Sequence, residues 1–453
     1  MTSEQRSVFV WNWLPGEASA VVCGRLDVTT DLNSASSASS GTFVYGKSYL
    51  NNPCALPIDP VAIPLVEKVF TFTALGGIPS AILDAVPDTW GRKVIDILHG
   101  AALAHPLDYA LLANDATGSL GFSRDGKAPP AEGARAPVPI ETFLTIAEAI
   151  EQNRPLANLG AMDDTLRLAL QAGTGGARPK ASVIRDGHRW IAKFTSSADK
   201  FAISNPRLEH ITLELARRCG INAVESELLT VGGKDVLLVR RFDRVNAVDT
   251  GIDSAATYKR AVLSARTVFH SDPGLQQYSF SGSYGRLARQ LGTYIVRPRA
   301  DTEELFRRLC FNVAVANIDD HELNHALVYN ERVRGYQLAP AYDIVPSLAD
   351  TQRTFHALQI GGGFEGIRQN VLDAAVAFDI SQADAGRTFD QTIDEIAVNW
   401  KSVARATGLK ERECAPLERL FSKVAISARV NLDAAPQTDL LPPVARRARR
   451  PSR

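Results

Sequence analysis

Strand-type and helix-type hydrophobic patterns occupy different parts of this chain, and their order constrains the fold more than any other feature. Between residues 173 and 242 short apolar runs alternate with glycine-rich turns, and Asp186-Gly187 predicts a tight hairpin within residues 182–194. From about Tyr258 the apolar residues recur mostly at helical spacing. Strands followed by helices predict an α+β arrangement in two lobes, the first β-rich and the second mostly helical.

Two helices in this region carry signals for their ends. Asn205-Pro206 predicts an N-cap followed by proline at the first helical position, and Gly220 stands where a C-terminal cap is expected. Asp301 and Glu304 predict a capping box that opens a second helix. Two further strands are expected, at residues 223–231 and 236–242.

The pattern in the first part of the chain predicts a small α+β unit. Residues 8–30 predict two strands joined by a turn at Leu14–Glu17, and helices are expected within 81–98 and 106–114. Residues 124–139 have the composition of a linker. The predicted division is an N-terminal domain with linker at 1–135, a β-rich lobe at 140–245, a helical lobe at 246–435 and a basic disordered tail at 436–453.

Composition excludes several classes of protein. Lys and Arg together number 50, as do Asp and Glu, so the body of the chain has no bulk attraction for nucleic acid or anionic membrane. The five cysteines form no CxxC pair, which argues against a disulfide framework or a structural zinc site. No apolar run is long enough for a signal peptide or a membrane span. We therefore expect a cytoplasmic location and no membrane partner.

A loop rich in Asp and Asn, at residues 317–324, should follow the helix that begins near residue 301. It contains Asp319 and Asn324, five positions apart, and Asp343 follows later. Phosphoryl transfer needs a carboxylate that orients the acceptor hydroxyl and oxygen ligands for Mg²⁺, and kinases use Asp, Asn and a later Asp in this order. Two other interpretations stay open: such residues also stabilise turns, and Asp320-His321 could be half of a metallohydrolase site, although no HExxH motif is present.

Upstream residues favour the kinase interpretation. The glycine-rich run at 173–180 ends at Lys180, and its backbone N–H groups could approach an anionic ligand. Lys193 stands in an apolar strand and needs a partner such as a phosphate or a carboxylate, and Glu209 on the next predicted helix is the obvious carboxylate. Glycine loop, lysine, glutamate, Asp/Asn pair and final Asp then follow the kinase order.

With these motifs the chain resembles the HipA family, the serine/threonine-kinase toxins of bacterial type II toxin–antitoxin systems. Two segments of the N-terminal part also resemble the family, VPDTWGRKVI (86–95) and GSLGF (118–122). The matching segments of the core are GGARPKA (175–181), WIAKF (190–194), RRFDR (240–244), NIDDHELN (317–324) and LAPAYDIVPS (338–347).

The resemblance implies a two-lobed protein-kinase-like core beside a small N-terminal domain, with ATP and Mg²⁺ between the lobes. It implies that Asp319 is the catalytic base and that Asn324 and Asp343 are Mg²⁺ ligands. The implied nucleotide-binding residues are Gly175, Gly176, Ala177 and Lys180 over the phosphates, Lys193 on the phosphates with Glu209 beside it, and Arg241, Phe242 and Asp243 in a hinge beside the adenine.

The resemblance also implies partners. Family members phosphorylate a protein, for which a translation component such as an aminoacyl-tRNA synthetase is the model, and thereby arrest growth. They act with a small helix-turn-helix antitoxin, so contact with DNA would be indirect, in keeping with the zero net charge.

Two departures from the family pattern bear on activity. Leu323 replaces the lysine that precedes the Asn in the family loop, which removes a cation near the transferred phosphate. Where some members autophosphorylate a serine of the glycine loop, Thr174 is the residue of this chain that could be modified. The alternative to an active kinase is a weakly active or inactive nucleotide-binding regulatory module that acts through partner binding.

Overall fold

The computed structural model describes most of the chain, in eight stretches: residues 3–31, 39–130, 138–154, 176–199, 201–246, 257–271, 282–349 and 353–429. The predicted tail at 436–453 and the middle of the predicted linker lie outside the described residues, as do Thr174 and Gly175.

The N-terminal unit is built on an antiparallel five-stranded sheet. Its strands are β1 (Ser3–Trp13), β2 (Ala20–Asp31), β3 (Ser39–Tyr45), β4 (Val69–Phe72) and β5 (Leu120–Ser123). They are arranged in the order β4-β3-β2-β1-β5. Val8, Val10 and Leu26 are buried on one face, and the predicted turn between β1 and β2 is formed with Gly16 at φ 77°.

The helix expected within residues 81–98 is divided into two, which corrects that prediction. Pro87 has no backbone N–H to donate and disfavours the helical conformation in the residue before it. The chain therefore leaves the first helix and begins another after Asp88. The helices of this unit are α1 (Lys47–Leu50), α2 (Ser80–Leu83), α3 (Thr89–His99) and α4 (Pro106–Leu112), with a 3-10 turn at Leu75–Gly77.

The second unit, called here the N-lobe, contains an antiparallel four-stranded sheet. Its elements are α5 (Ile140–Glu151), β6 (Lys180–Arg185), β7 (His188–Phe194), α6 (Asn205–Arg218), β8 (Ser226–Val231) and β9 (Lys234–Arg240). The strand order is β6-β7-β9-β8. The hairpin at Asp186-Gly187 is confirmed, with both residues at positive φ. The N-cap of α6 is Ser204 rather than the predicted Asn205, because the Ser204 hydroxyl accepts the N–H of Arg207.

The two faces of the N-lobe sheet are covered by different parts of the chain. Leu237 and Val239 of β9 pack in one core cluster with Ile211 of α6. The residues that alternate with them face a second cluster, to which α5 and α3 both contribute: Trp90, Val94, Phe143, Ile150, Trp190, Ala192, Phe194, Val236 and Leu238. Helix α3, which belongs by sequence to the N-terminal unit, is thus part of the N-lobe core.

The C-lobe is mostly helical, as predicted. Its helices are α7 (Ala265–His270), α8 (Tyr284–Tyr294), α9 (Pro298–Ala314), α10 (Arg368–Ala374), α11 (Gln382–Ala406) and α12 (Ala415–Arg429), with 3-10 turns at Ala375–Phe378 and Glu411–Glu413. The capping box predicted at Asp301 is wrong. Helix α9 already begins at Pro298, and a carboxylate oxygen of Asp301 accepts the N–H of Leu338 at 3.3 Å.

Short strands in this region were not anticipated. They are β10 (Arg244–Asn246), β11 (Thr257–Lys259), β12 (Val262–Ser264), β13 (Ala326–Asn330) and β14 (Gly335–Leu338). Strands β12, β13 and β14 form an antiparallel sheet. This sheet connects the loop at 317–324 to the loop at 339–345, and it therefore sets the distance between the two acidic segments of the candidate site.

Candidate active site

Two lysines lie side by side on the face of the N-lobe sheet that α6 covers. Lys180 on β6 and Lys193 on β7 are directly opposite each other in the antiparallel ladder, so their side chains project from the same face. Like charges in opposite positions destabilise a strand pair unless anionic groups balance them. The lysine pair therefore marks a place that requires negative charge from the protein, from a ligand or from both.

Glu209 and Asp343 supply part of that negative charge. The ammonium of Lys193 donates hydrogen bonds to both carboxylate oxygens of Glu209, at 2.7 and 2.8 Å, and to Oδ1 of Asp343 at 2.6 Å. Burial alone would lower the pKa of Lys193, but the two carboxylates outweigh burial and raise the pKa. Lys193 is therefore charged at neutral pH, and the pairing with Glu209 that the sequence predicts is present.

Asp343 lies in the loop after β14, where its backbone is left-handed with φ 58°. Burial alone would raise the pKa of Asp343, but Lys193 brings the pKa down to about 2. The neighbouring Tyr342 stacks on Phe242, with ring centres 5.6 Å apart, and its hydroxyl donates to the carbonyl of Leu323 at 2.7 Å. Asp343 is thus held between the N-lobe lysines and the Asp/Asn loop.

The Asp/Asn loop directly follows α9. The chain reverses at Ala316, which has φ 52°, and the side chain of Asp319 is exposed in the turn that follows. Nδ2 of Asn324 donates to the backbone carbonyl of Asp319 at 3.0 Å, and the Asn324 N–H donates to the His321 carbonyl at 2.9 Å. Because the amide nitrogen is used inside the loop, the amide oxygen is the atom that Asn324 can offer to a cation.

Asn324 and Asp343 provide the oxygen donors that Mg²⁺ prefers. Within the described stretches of the chain, no group of three or more His, Cys, Asp or Glu side chains could hold a metal ion. Two oxygen donors from the protein fit Mg²⁺ that arrives with a nucleotide, since such a Mg²⁺ takes one or two ligands from the protein and the others from phosphates and water.

Asp320, beside the predicted base, has a structural role. It is 1% exposed, its Oδ1 lies 2.9 Å from Nε2 of His325, and its Oδ2 accepts the hydroxyl of Tyr284. The amide of Asn312 donates in turn to the Tyr284 oxygen at 2.9 Å. Because both Asp320 oxygens are occupied in this buried network, the metallohydrolase interpretation, which needs Asp320 as a ligand, loses its support.

Arg241 and Asp243 lie in a buried ionic cluster at the junction with the N-terminal unit. The guanidinium groups of Arg241 and Arg244 contact both Asp115 and Asp243, with the four shortest N–O distances at 2.8 or 2.9 Å. Oδ2 of Asp243 also accepts the N–H of Gly118 at 2.8 Å. These side chains therefore join two units of the chain. The resemblance implied an adenine hinge for Arg241 and Asp243, and no signal in the sequence pointed to Asp115 as their partner.

Gly176 and Lys180 are in direct contact at the end of the glycine-rich run. Gly176 has φ 104°, and a Cβ built there would overlap the ammonium nitrogen of Lys180. Lys180 is 5% exposed, and burial lowers its pKa against the attraction of Asp88. The end of the glycine-rich run thus lies against the Lys180 ammonium, and the neighbouring Ala177 is exposed.

Asp88 was not recognised from the sequence as a site residue. Burial raises the pKa of its carboxyl to about 6, although Lys180 opposes that shift and Asp343 adds to it. Its segment did carry a signal, since VPDTWGRKVI (86–95) is one of the two N-terminal segments that resemble the family.

The arrangement of a β-rich lobe before a helical lobe, with charged residues of both lobes in contact, defines a two-lobed protein-kinase-like fold. The family model described as the HipA-like C-terminal domain matches residues 172–400, half of the chain. The protein therefore belongs to the HipA-like kinase family.

Known relatives agree with this placement. The chain is 23% identical over 326 residues, 68% of its length and 72% of the other protein, to "Putative kinase Y4mE" of Sinorhizobium fredii. It is 28% identical over 174 residues, 36% of its length and 38% of the other protein, to "Putative kinase Y4dM" of the same organism. The Shewanella oneidensis MR-1 toxin HipA, solved with HipB and operator DNA, has the same fold, with a TM-score of 0.62 at 15% identity over 92% of this chain and 96% of that one.

Among the helices that the structure describes, none is long and apolar enough to cross a membrane.

Proposed function

We propose that this protein is an ATP- and Mg²⁺-dependent protein serine/threonine kinase of the HipA toxin type. The observation that carries the proposal is the contact of Lys193 with both Glu209 and Asp343. A lysine held by a helix glutamate and placed beside the metal-binding aspartate is the arrangement on which protein kinases depend.

The predicted site residues at the contact between the two lobes would divide the work of this reaction. Lys193 and Lys180 would face the phosphates, and Asn324 and Asp343 would hold Mg²⁺, which when bound neutralises charge on the phosphates. Glu209 keeps the Lys193 ammonium in place through two hydrogen bonds. Phe242 stacks on Tyr342, the residue before Asp343. For the segment 241–243 we therefore propose an adenine contact made by Phe242 and by backbone groups.

Asp319 is proposed as the base. Its carboxylate would accept a hydrogen bond from the acceptor hydroxyl and orient the oxygen towards the γ-phosphate. It would take the proton as the new P–O bond forms and the bond between the γ-phosphorus and the β–γ bridging oxygen breaks, which releases ADP. The side chain is exposed, and Asn324 fixes the backbone beneath it. An exposed base suits a serine or threonine on the surface of another protein, for which a translation component such as an aminoacyl-tRNA synthetase is the family model.

The proposed partner is a small helix-turn-helix antitoxin that suppresses growth arrest in the cytoplasm. Support comes from the structural relative, which was solved with HipB and operator DNA. The formal net charge of zero gives this chain no bulk attraction for DNA, so contact with DNA would run through the antitoxin.

One observation favours the alternative, a weakly active or inactive nucleotide-binding regulatory module. Leu323 is 37% exposed at the position where the family pattern places a lysine. Against the alternative stands the contact of Lys193 with both Glu209 and Asp343, in a chain that also keeps Asn324.

The deciding experiment measures transfer of labelled γ-phosphate from ATP, with the purified protein and a cell lysate as acceptors. Asp319→Asn should abolish transfer while the Kd for Mg²⁺–ATP stays near the wild-type value. Glu322→Gln, in the same loop, is the matched control and should keep transfer. Wild-type binding of ATP without transfer would favour the regulatory module, and transfer by Asp319→Asn would refute the assignment of the base.

A further inference from the structure

The N-terminal unit reaches the phosphate end of the candidate site through Trp90. This residue is in the first turn of α3 and is 3% exposed. Its backbone N–H donates to the carbonyl of Gly176 at 3.3 Å, and its indole Nε1 donates to the carbonyl of Lys180 at 2.9 Å. One residue of the N-terminal unit therefore binds both ends of the segment 176–180, the Gly176 end through its backbone and the Lys180 end through its side chain.

The two carbonyls belong to residues whose relative position matters for an anionic ligand. Gly176 lies so close to the Lys180 ammonium that a Cβ would displace it. The Lys180 ammonium in turn projects beside Lys193 from the same sheet face. A shift of the Gly176 peptide relative to β6 would change where its backbone and the Lys180 ammonium meet a phosphate.

Asp88, two residues before Trp90, supports this connection. It precedes α3 as its N-cap residue, and its Oδ1 is buried without a hydrogen-bond partner among the described residues. Asp88 and Lys180 attract each other electrostatically. The start of α3 is thus linked to the segment 176–180 by two hydrogen bonds from Trp90 and by the electrostatic attraction between Asp88 and Lys180.

We propose that Trp90 is a positioning residue for nucleotide binding, which holds the segment 176–180 in the geometry that receives the phosphates. The inference rests on the proposed function, because it assigns the N-terminal unit a part in the same site. If Trp90 has this role, the N-terminal unit is a component of the kinase core rather than an appended domain.

The chain provides a matched control for a substitution of Trp90. Trp190 is 4% exposed, lies in the same apolar cluster and donates its indole N–H to a carbonyl, that of Arg185, at 3.3 Å. That bond is at the hairpin end of β6, whereas the Trp90 bond is at the Lys180 end. Trp90→Phe and Trp190→Phe therefore remove equivalent groups from one core at opposite ends of one strand.

The test titrates the full chain and both variants with Mg²⁺–ATP, using calorimetry for Kd and tryptophan emission as a second signal. For Trp90→Phe we expect Kd to rise about five- to tenfold, the equivalent of one lost hydrogen bond. The kcat at saturating ATP should stay within about twofold of wild type, because the base and the metal ligands are unchanged. ATP should alter the emission of wild type and Trp190→Phe, and this change should be largely lost in Trp90→Phe.

The possible results separate the inference from the function on which it rests. An unchanged Kd in Trp90→Phe, or an equal rise in Trp190→Phe, overturns the positioning role while the kinase assignment stands. Failure of the wild-type protein to bind Mg²⁺–ATP overturns the proposed function and the inference with it. A raised Kd confined to Trp90→Phe, with similar thermal stability of the two variants, supports the inference.

Discussion

The ammonium nitrogen of Lys193 lies 2.6 Å from Oδ1 of Asp343, although the two residues are 150 positions apart in the chain. Lys193 belongs to the N-lobe sheet and Asp343 to the loop after β14 in the C-lobe. Their contact brings a phosphate-binding candidate from one lobe against a metal-binding candidate from the other. Both lobes thus contribute charged groups to the place where we propose that Mg²⁺ and phosphates bind.

Because Leu323 is exposed, the lysine of the family pattern can be introduced at this position without disturbing the core. Leu323→Lys should raise the rate of phosphate transfer by about three- to tenfold, because a cation near the transferred phosphate stabilises charge in the transition state. The side chain is 37% exposed, so the substitution should leave the thermal midpoint close to wild type. Initial rates at saturating ATP are the measurement, and Leu323→Met is the control. A faster Leu323→Met, or no gain with lysine, would show that the missing cation does not limit the reaction.

A side chain at Gly176 should have two effects, on the backbone and on the position of the Lys180 ammonium, and a second glycine separates them. Gly176→Ala combines a left-handed backbone with overlap of the Lys180 ammonium, whereas Gly187→Ala has the left-handed backbone and open space around the new Cβ. Each substitution should cost about 1 kcal/mol of folding free energy from the backbone. Weaker binding of Mg²⁺–ATP is expected for Gly176→Ala alone. Equal Kd values for the two variants would contradict a role of Gly176 at the phosphates.

Asp115 should be among the most important residues for stability. Its two carboxylate oxygens contact the buried Arg241 and Arg244, so Asp115→Asn leaves two guanidinium groups short of negative charge in the interior. Loss of one partner from a buried ion pair typically costs about 3–5 kcal/mol. The exposed pair Arg299–Glu303 provides the comparison, and Glu303→Gln should change the unfolding free energy by less than about 0.5 kcal/mol. Urea unfolding of both variants tests the difference, and similar midpoints would contradict it.

The pKa of Asp88 predicts a defined pH dependence of stability. A carboxyl whose pKa is raised by burial to about 6 binds a proton more tightly in the folded than in the unfolded state. Its contribution to stability is therefore complete below pH 4 and is lost as the pH rises through 6. Asp88→Asn removes this dependence, so the variant should gain about 2 kcal/mol relative to wild type between pH 4 and pH 7. Thermal unfolding across this range measures the gain, and parallel curves would contradict the shifted pKa.

Several features of the protein could be predicted because they depend on neighbours in sequence. The hairpin at Asp186-Gly187 requires positive φ at its centre, which Asp and Gly tolerate, and both residues have it. The contact of Lys193 with Glu209 follows from an ammonium that cannot stay unpaired in an apolar strand. The mostly helical C-lobe, including α11 (Gln382–Ala406), follows from the helical spacing of apolar residues after Tyr258.

Other features depend on which distant segments meet, and these the sequence did not determine. The attachment of Arg241 and Asp243 to Asp115, the packing of Trp90 under the segment 176–180, and the sheet of β12–β14 inside the helical lobe all join residues far apart in the chain. Periodicity reports which face of an element is buried and not what buries it. Local chemistry therefore determined the elements and the order of the site residues, whereas tertiary packing decided which charges are consumed in the core and which remain at the candidate site.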